Sequence, residues 1–219
     1  MNYKKLLVAF VFVLLVSNIS FGQTTLFTDD YGTLAQNPIS RTGYTANAAS
    51  GSNWELRTST ASTGYSWASP VVNASGGANV FTNLGTNNNT KTLTYDNALS
   101  TVGYATIQVR FGSIKSGTVP TLDVSYSTDG TTYTSVGAVT LNTTWTANTV
   151  SLPAAAANVA NLRVRFSIVA NSSAANNFRI DDFHVIGTVF CTAPTPQASN
   201  ITFPSATTTT MEANQTQAL

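Results

Sequence analysis

Two pairs of adjacent aspartates are candidate metal ligands in this chain. Asp29 and Asp30 follow the first strand pattern, and Asp181 and Asp182 lie inside the last one. First and last strands are often neighbours in β-sandwiches, so the two pairs could meet. Ca²⁺ prefers several hard oxygen ligands, and carboxylates supply them. The four side chains are therefore a candidate structural calcium site; the alternative is that they are solvated strand-end acids that pair with Arg179 or cap turns.

The apolar pattern changes phase across the second aspartate pair. Phe178 and Ile180 share one parity, whereas Phe183 and Val185 share the other. A single extra residue in a strand shifts every following side chain to the opposite face. The sequence therefore predicts a β-bulge at the aspartate pair.

Aromatic side chains suggest a second kind of chemistry, the stacking of sugar rings. Trp54, Tyr65 and Trp67 lie among Gly, Ser and Thr residues, as is typical of loops and sheet edges. An exposed aromatic pair with nearby Arg, Asn and Asp could bind a polysaccharide or another glycan. The alternative is that these rings close the ends of the hydrophobic core, where amphipathic aromatics fit well.

Catalysis within this chain is not indicated. His184 is the only histidine, it lies in a strand pattern, and no nucleophile motif such as Gly-x-Ser-x-Gly is present. Histidine-based catalysis needs a nucleophile and an orienting group beside the base. We therefore expect no catalytic residues and a structural role for His184.

Strands with period-two alternation dominate the region behind the first 22 residues. The clearest are residues 105–111, 122–126 and 162–168, and Asp129-Gly130 is a hairpin signal between two of the predicted strands. One apolar face on each strand indicates antiparallel sheets whose other face meets water. Arg110, Arg163 and Arg165 fall on that outward parity. The predicted fold is an all-β, antiparallel two-sheet β-sandwich of jelly-roll type over residues 23–189.

The first 22 residues resemble a secretory signal peptide. A basic start containing Lys4 and Lys5 precedes an apolar run over residues 6–16, and small residues lie at Ser20 and Gly22. We therefore expect a secreted or cell-surface protein. No other apolar run is long enough for a membrane span. The single cysteine, Cys191, leaves no internal disulfide.

Charge and composition limit the partners and divide the chain. The formal net charge is +1 and only 9% of residues are charged, with no basic patch, so nucleic acid is not expected as a partner. Composition changes near Cys191, where a Pro-containing linker is predicted over residues 190–200. Residues 201–219 are too few to bury a core. They read as the truncated start of a second domain, with further domains downstream.

Two resemblances refine this prediction. Residues 124–133 (VSYSTDGTTY), 162–166 (LRVRF) and 178–183 (FRIDDF) resemble galactose-binding-like jelly-roll modules of secreted Bacteroidetes-type proteins. Residues 191–195 (CTAPT), 200–203 (NITF) and 207–211 (TTTTM) resemble the start of a fibronectin-type-III-like domain, although the Trp expected next is absent near Gln215. Jelly-roll modules of this group include sugar-binding and adhesion modules, and fold transfers between them better than function does.

The sequence thus predicts a non-catalytic extracellular β-sandwich module that serves adhesion or carbohydrate binding within a larger parent protein. Two alternatives stay open. The first is an accessory N-terminal domain of an exported hydrolase, such as a nuclease or a peptidase, whose catalytic part lies downstream. The second is a spacer that binds no ligand.

Overall fold

A computed structural model describes residues 22–32, 42–47, 54–70, 72–83, 90–119, 121–169 and 176–190. The predicted signal peptide, except for Gly22, lies outside these residues. The predicted linker beyond Phe190 and the fibronectin-type-III-like start at residues 201–219 also lie outside them. Because these segments are not described, the predictions about them stay predictions.

The described strands form two main antiparallel sheets, the first of which is sheet A. It contains β1 (Gln23–Asp29), β3 (Trp54–Arg57), β6 (Asn79–Asn83), β8 (Tyr104–Ser116), β11 (Thr146–Ser151) and β13 (Asn177–Val189). The strand order is β11-β8-β13-β6-β3, and β1 pairs with part of β13. The first and last described strands are therefore neighbours, as the sequence predicts.

Sheet B is the second main sheet. It contains β2 (Tyr44–Asn47), β7 (Thr90–Leu99), β9 (Leu122–Ser127), β10 (Thr134–Val139) and β12 (Leu162–Val169), in the order β10-β9-β12-β7-β2. The turn at Asp129-Gly130 joins β9 to β10, which pair antiparallel, so the predicted hairpin is confirmed. The two sheets confirm the predicted all-β sandwich of jelly-roll type.

Aromatic rings from both sheets fill the core between them. Phe111 of β8 and Phe183 of β13 both contact Phe166 of β12, with ring centroids 5.0 and 5.4 Å apart. Phe27 of β1 packs against Phe183 and against Tyr95 of β7. Edge-to-face pairs of this kind add about 0.5–1.5 kcal/mol beyond the area they bury. The alternating apolar residues of the sequence therefore supply the core face of each sheet.

Two small elements complete the described structure. A short hairpin pairs β4 (Ser66–Trp67) with β5 (Val72–Asn73). A single 3₁₀ turn at Ala154–Ala156 precedes β12.

The predicted bulge in β13 is present. The pairing of β13 with β8 shifts register between Asp181 and His184, and Asp182 has a left-handed backbone with φ of 51°. The extra residue lets Ile180 and Phe183 both face the core. Because non-glycine residues rarely adopt positive φ, this conformation needs support from its surroundings. One support is the hydrogen bond of 2.8 Å from the Asp182 N–H to Asp181 Oδ1.

The expectation that the outer face of every sheet meets water is wrong for sheet A. Nearly every residue of β13 between Phe178 and Gly187 is buried, on both parities. The reason is the β4–β5 hairpin, which lies over this face. Arg110 of β8 and Asp181, Asp182 and His184 of β13 are therefore enclosed in a polar layer rather than solvated.

Candidate functional site

The β4–β5 hairpin and its flanking residues are attached to sheet A by hydrogen bonds that Tyr65, Trp67, Ser75 and Arg110 donate. The Tyr65 hydroxyl donates a hydrogen bond of 2.5 Å to Asp182 Oδ2, and the Ser75 N–H donates to the same oxygen at 3.1 Å. The Trp67 indole N–H donates to the carbonyl of Asn148 on β11 at 3.0 Å. Arg110 of β8 donates to the hairpin carbonyls of Ala68 and Ser69. These contacts fix the aromatic residues of the hairpin on the sheet.

Arg110 lies beneath the hairpin instead of facing solvent. Its Nη1 donates to the carbonyl of Ala68 at 3.0 Å, and its Nη2 donates to Gln23 Oε1 at 2.9 Å. The side chain is buried, and burial lowers the pKa of its guanidinium. The sequence predicted its outward parity correctly but not its enclosure.

A glycine makes room for the Tyr65 ring. A Cβ atom on Gly112 of β8 would lie 2.0 Å from the Tyr65 hydroxyl oxygen and 2.2 Å from its Cζ. No side chain fits there while Tyr65 keeps its position. Gly112 is therefore required by a close approach between the hairpin and the sheet.

Three aromatic rings and His184 form one contact group over sheet A. Tyr65 contacts Trp67 edge-on at 5.3 Å and Trp145 at 5.9 Å, measured between ring centroids. Trp67 contacts the His184 ring edge-on at 5.5 Å. Tyr65 and Trp67 are only 9% and 6% exposed, whereas Trp145 is half-buried. Trp145 is thus the member with the most ring surface open to a ligand.

A shallow pocket of about 470 Å³ opens beside Tyr65. It is lined by Ser62, Thr63, Gly64, Tyr65, Ser66, Asn73, Ala74 and Gly76. Three hydroxyl side chains and one amide give it donors and acceptors, and Tyr65 gives it an apolar wall. Sites for neutral polar ligands typically combine an aromatic surface with a few polar groups in this way.

The bulge places Asp181 and Asp182 in the buried layer under the hairpin. Both side chains are at most 1% exposed. Asp181 Oδ2 is buried and has no hydrogen-bond partner among the described residues. Burial raises the pKa of Asp181 to about 7; the charges of Asp182 and Asp30 add to this effect, whereas the nearby Ser62 hydroxyl and the Asp182 N–H oppose it. An unpartnered buried carboxylate is costly unless a proton or a cation neutralises it.

The other aspartate pair lies close by but is engaged differently. Asp29 is paired with Phe183 in the β1–β13 ladder. Its Oδ1 accepts from the Tyr31 N–H at 2.8 Å, and its Oδ2 accepts from the Tyr44 hydroxyl at 3.0 Å. Asp30 Oδ1 accepts from the Gly32 N–H at 3.0 Å. Within the described residues, no three His, Cys, Asp or Glu side chains form a metal-binding group, so the four carboxylates do not converge on one point.

His184 occupies the same buried layer. Its Nδ1 lies 2.8 Å from the Thr28 hydroxyl, and its Nε2 is buried with no hydrogen-bond partner in the described structure. Burial lowers the pKa of the imidazole, an effect that the nearby Arg110 increases and the nearby Asp182 opposes. Among the described residues, the Thr28 hydroxyl is the one side-chain group hydrogen-bonded to the ring.

Trp54 is not part of this surface. It is 1% exposed, and its ring packs edge-on against Phe178 at 5.4 Å inside the core. A sugar cannot stack on a ring that is enclosed on both faces, so a binding role for Trp54 does not fit its placement. The small polar residues before Trp54 suggested a loop or a sheet edge. The signal that could have found its burial is the alternation in β3, which places Trp54 inward with Leu56.

Similarity to solved structures supports the fold, while neither a protein-family model nor a curated protein matches the sequence. The K1 cleaved adhesin domain of Lys-gingipain from Porphyromonas gingivalis W83 has a TM-score of 0.51 and 15% identity, over 74% of this chain and 97% of that chain. The CBM22-1 xylan-binding domain from Paenibacillus barcinonensis Xyn10C has a TM-score of 0.47 and 11% identity, over 78% of this chain and 99% of that chain.

The tandem CBM22 domain of the same Paenibacillus protein has a TM-score of 0.48 and 11% identity, and it matches 84% of this chain. This chain spans only 50% of that longer chain. At such identities the similarity shows the fold alone. The similarity to the adhesin domain thus agrees with the jelly-roll β-sandwich fold that the strand order shows. A further observation concerns membranes: none of the described helical segments is long and apolar enough to cross one.

Proposed function

We propose that this chain is a non-catalytic extracellular module that binds carbohydrate, for adhesion or for targeting a larger parent protein. The observation that carries the proposal is the half-buried Trp145 ring against Tyr65, which itself lines the hydroxyl-containing pocket of about 470 Å³. An aromatic face beside several hydroxyls and an amide matches the alternating apolar and polar faces of a sugar ring.

The rigid attachment of Tyr65 strengthens this proposal. Its hydroxyl is hydrogen-bonded to Asp182 and its ring packs over Gly112, so the ring is already oriented before a ligand binds. Pre-organised side chains lose little conformational freedom on binding, which improves affinity. In this proposal Trp145 and Tyr65 stack on the sugar, while Trp67 supports Tyr65 from behind.

Affinity electrophoresis of the full chain tests the proposal. We expect retarded migration in gels that contain one of a panel of neutral polysaccharides. Trp145→Ala should weaken that binding tenfold or more, which corresponds to about 1.4 kcal/mol. Trp54→Phe is the matched control, because it alters a tryptophan in the core and should leave the affinity unchanged. Equal affinities for the wild type and Trp145→Ala would refute this site.

The alternatives predict different outcomes. A ligand-free spacer would bind no member of the panel. An accessory domain of an exported hydrolase would be revealed by a catalytic domain encoded downstream in the same reading frame. Carbohydrate binding by this chain is compatible with that second alternative, since an accessory module can carry an enzyme to its substrate.

We also propose Ca²⁺ as a structural ligand of the buried layer under the hairpin. The support is Asp181 Oδ2, a buried carboxylate oxygen without a partner among the described residues. Asp181 and Asp182 would supply the acidic ligands, and Ca²⁺ completes its shell readily with carbonyl, hydroxyl or water oxygens. Asp29 is a poor ligand here, because both of its oxygens already accept hydrogen bonds.

A further inference from the structure

The outer face of sheet B carries two arginines at its centre, and they have no ion partner in the described structure. Arg163 and Arg165 lie on β12, the middle strand, between the core residues Leu162, Val164 and Phe166. Side chains alternate along a strand, so both arginines point outward. Two residues apart, their Cα atoms are roughly 7 Å from each other. Unlike Arg110, they are not covered by the β4–β5 hairpin.

Each guanidinium is oriented by its Nε atom alone. Arg163 Nε donates to the carbonyl of Asp96 at 2.7 Å, and Arg165 Nε donates to the Thr94 hydroxyl at 2.9 Å. Arg165 also lies over the Tyr133 ring, with its Cζ 3.4 Å from the centroid. Within the described residues, the Nη atoms of both side chains make no ion pair, and only the Tyr133 hydroxyl lies close enough to Arg165 to share a hydrogen bond with it. The ends of two guanidinium groups are thus held in place and available.

Arg163 is fixed further by the turn that follows β9. Its guanidinium lies directly over Gly130, where an added Cβ would be 1.2 Å from Nη1. Gly130 has φ of 80°, a backbone region that glycine adopts without strain. The Asp-Gly turn therefore does more than reverse the chain, because it also shapes the space that Arg163 occupies.

Two aspartates share this face without neutralising the arginines. Asp96 on β7 and Asp123 on β9 are both half-buried on the outward parity, and neither forms an ion pair with Arg163 or Arg165. Asp123 accepts a hydrogen bond from the Ser135 hydroxyl. The face thus offers fixed cationic donors and carboxylate acceptors side by side.

We propose that this face is a second binding site, separate from the Tyr65–Trp145 surface, for a polysaccharide that contains uronic acid residues. The ends of Arg163 and Arg165 would bind sugar carboxylates, the geometry in which a guanidinium gives its strongest hydrogen bonds. Asp96 and Asp123 would accept hydrogen bonds from sugar hydroxyls. A uronate carries both groups, whereas a neutral glycan lacks the carboxylate and an acidic peptide side chain lacks the hydroxyls.

Affinity electrophoresis with three polymers tests this site, using the full chain in gels that contain polygalacturonate, dextran or polyglutamate. We expect retardation by polygalacturonate that weakens as salt rises, and little retardation by the other two. The double variant Arg163→Gln/Arg165→Gln should bind polygalacturonate roughly tenfold more weakly. The matched control, Arg57→Gln/Lys115→Gln, removes the same charge from sheet A and should bind as the wild type does.

Several outcomes would overturn the proposal. They are unchanged affinity in the arginine double variant, an equal loss in the control, and polyglutamate binding as tight as polygalacturonate binding. Asp123→Asn provides a second test in case the double variant misfolds. Because Asp123 would accept hydrogen bonds from sugar hydroxyls, this variant should have a lower ratio of polygalacturonate affinity to polyglutamate affinity. Trp145→Ala should keep its polygalacturonate binding. Loss of polygalacturonate binding in Trp145→Ala would refute the second site. A wild type that binds polygalacturonate but no neutral glycan would refute the first site, the Tyr65–Trp145 surface.

Discussion

The hydroxyl of Tyr65 lies 2.5 Å from Oδ2 of Asp182, and this bond joins the β4–β5 hairpin to the bulge in β13. Asp182 is also the residue with φ of 51°, so the strained backbone and the hairpin support each other. Burial and, to a smaller extent, the same hydrogen bond raise the pKa of Tyr65 well above its usual range. The side chain therefore acts as a fixed donor, and its ring becomes a fixed part of the proposed sugar-binding surface.

Tyr65→Phe should destabilise the protein by about 1–3 kcal/mol, because it removes a donor from a buried carboxylate while keeping the ring. Urea denaturation measures the change. Tyr104→Phe is the control, since no hydrogen bond joins the Tyr104 hydroxyl to another described residue. Equal stability of Tyr65→Phe and the wild type would mean that the bond contributes nothing to the attachment of the hairpin.

Gly112→Ala should displace the hairpin from sheet A. The new methyl group would occupy the position of the Tyr65 hydroxyl and Cζ atoms, and overpacking of this kind costs about 1–3 kcal/mol. We expect a lower melting temperature and weaker glycan binding. Normal glycan binding by folded Gly112→Ala would argue against a fixed Tyr65 ring as part of the site.

Because of Asp181, the free energy of unfolding should decrease as the pH rises from about 4 to 7. Its pKa is raised from 3.8 to about 7 in the folded state, so in this window the folded protein holds a proton that the unfolded chain has lost. The loss approaches about 4 kcal/mol above pH 7 without a bound cation. Asp181→Asn should remove this slope and be more stable than the wild type at pH 8.

Urea denaturation of both proteins at pH 5 and pH 8, in EDTA, measures that difference. His184 works in the opposite direction, because its lowered pKa makes stability fall as the pH drops below about 6.5. The comparison with Asp181→Asn cancels this contribution, which both proteins share. Parallel pH profiles for the two proteins would show that Asp181 is already ionised and compensated in the fold.

Calcium should raise the melting temperature of the wild type if it neutralises the buried carboxylates. A ligand at 100 times its dissociation constant adds about 2.7 kcal/mol, which is several degrees for a domain of this size. Asp181→Asn should abolish most of the rise, and Mg²⁺ should substitute poorly because it demands stricter geometry. No difference between melts in EDTA and in excess Ca²⁺ would exclude the proposed calcium site.

The sandwich itself follows from local patterns in the sequence. Alternation at Ile107, Val109 and Phe111 places these residues in the core, and the phase change between Ile180 and Phe183 predicts the bulge. Such features could be predicted because each depends on neighbours along one strand. The turn at Asp129-Gly130 is equally local.

The candidate site could be predicted only in part, because it depends on a contact between distant segments. Tyr65 and Trp67 stand out in sequence as aromatics among small polar residues. Nothing local shows that they cover β8 and β13, and the partner that admits them, Gly112, looks like an ordinary glycine in a strand. Trp145 is brought beside Tyr65 by the pairing of β11 with β8, which spacing along the chain does not reveal.

The central claim is that a sugar stacks on Trp145, and NMR of the indole N–H groups tests it most directly. The chain has three tryptophans, so three indole signals are expected, and Trp145→Phe assigns one of them. Titration with the oligosaccharide that corresponds to the best polysaccharide of the panel should shift the Trp145 signal strongly and the Trp67 signal weakly. The Trp54 signal should not move, because that ring lies in the core. A saturating titration that leaves the Trp145 signal in place would contradict the account.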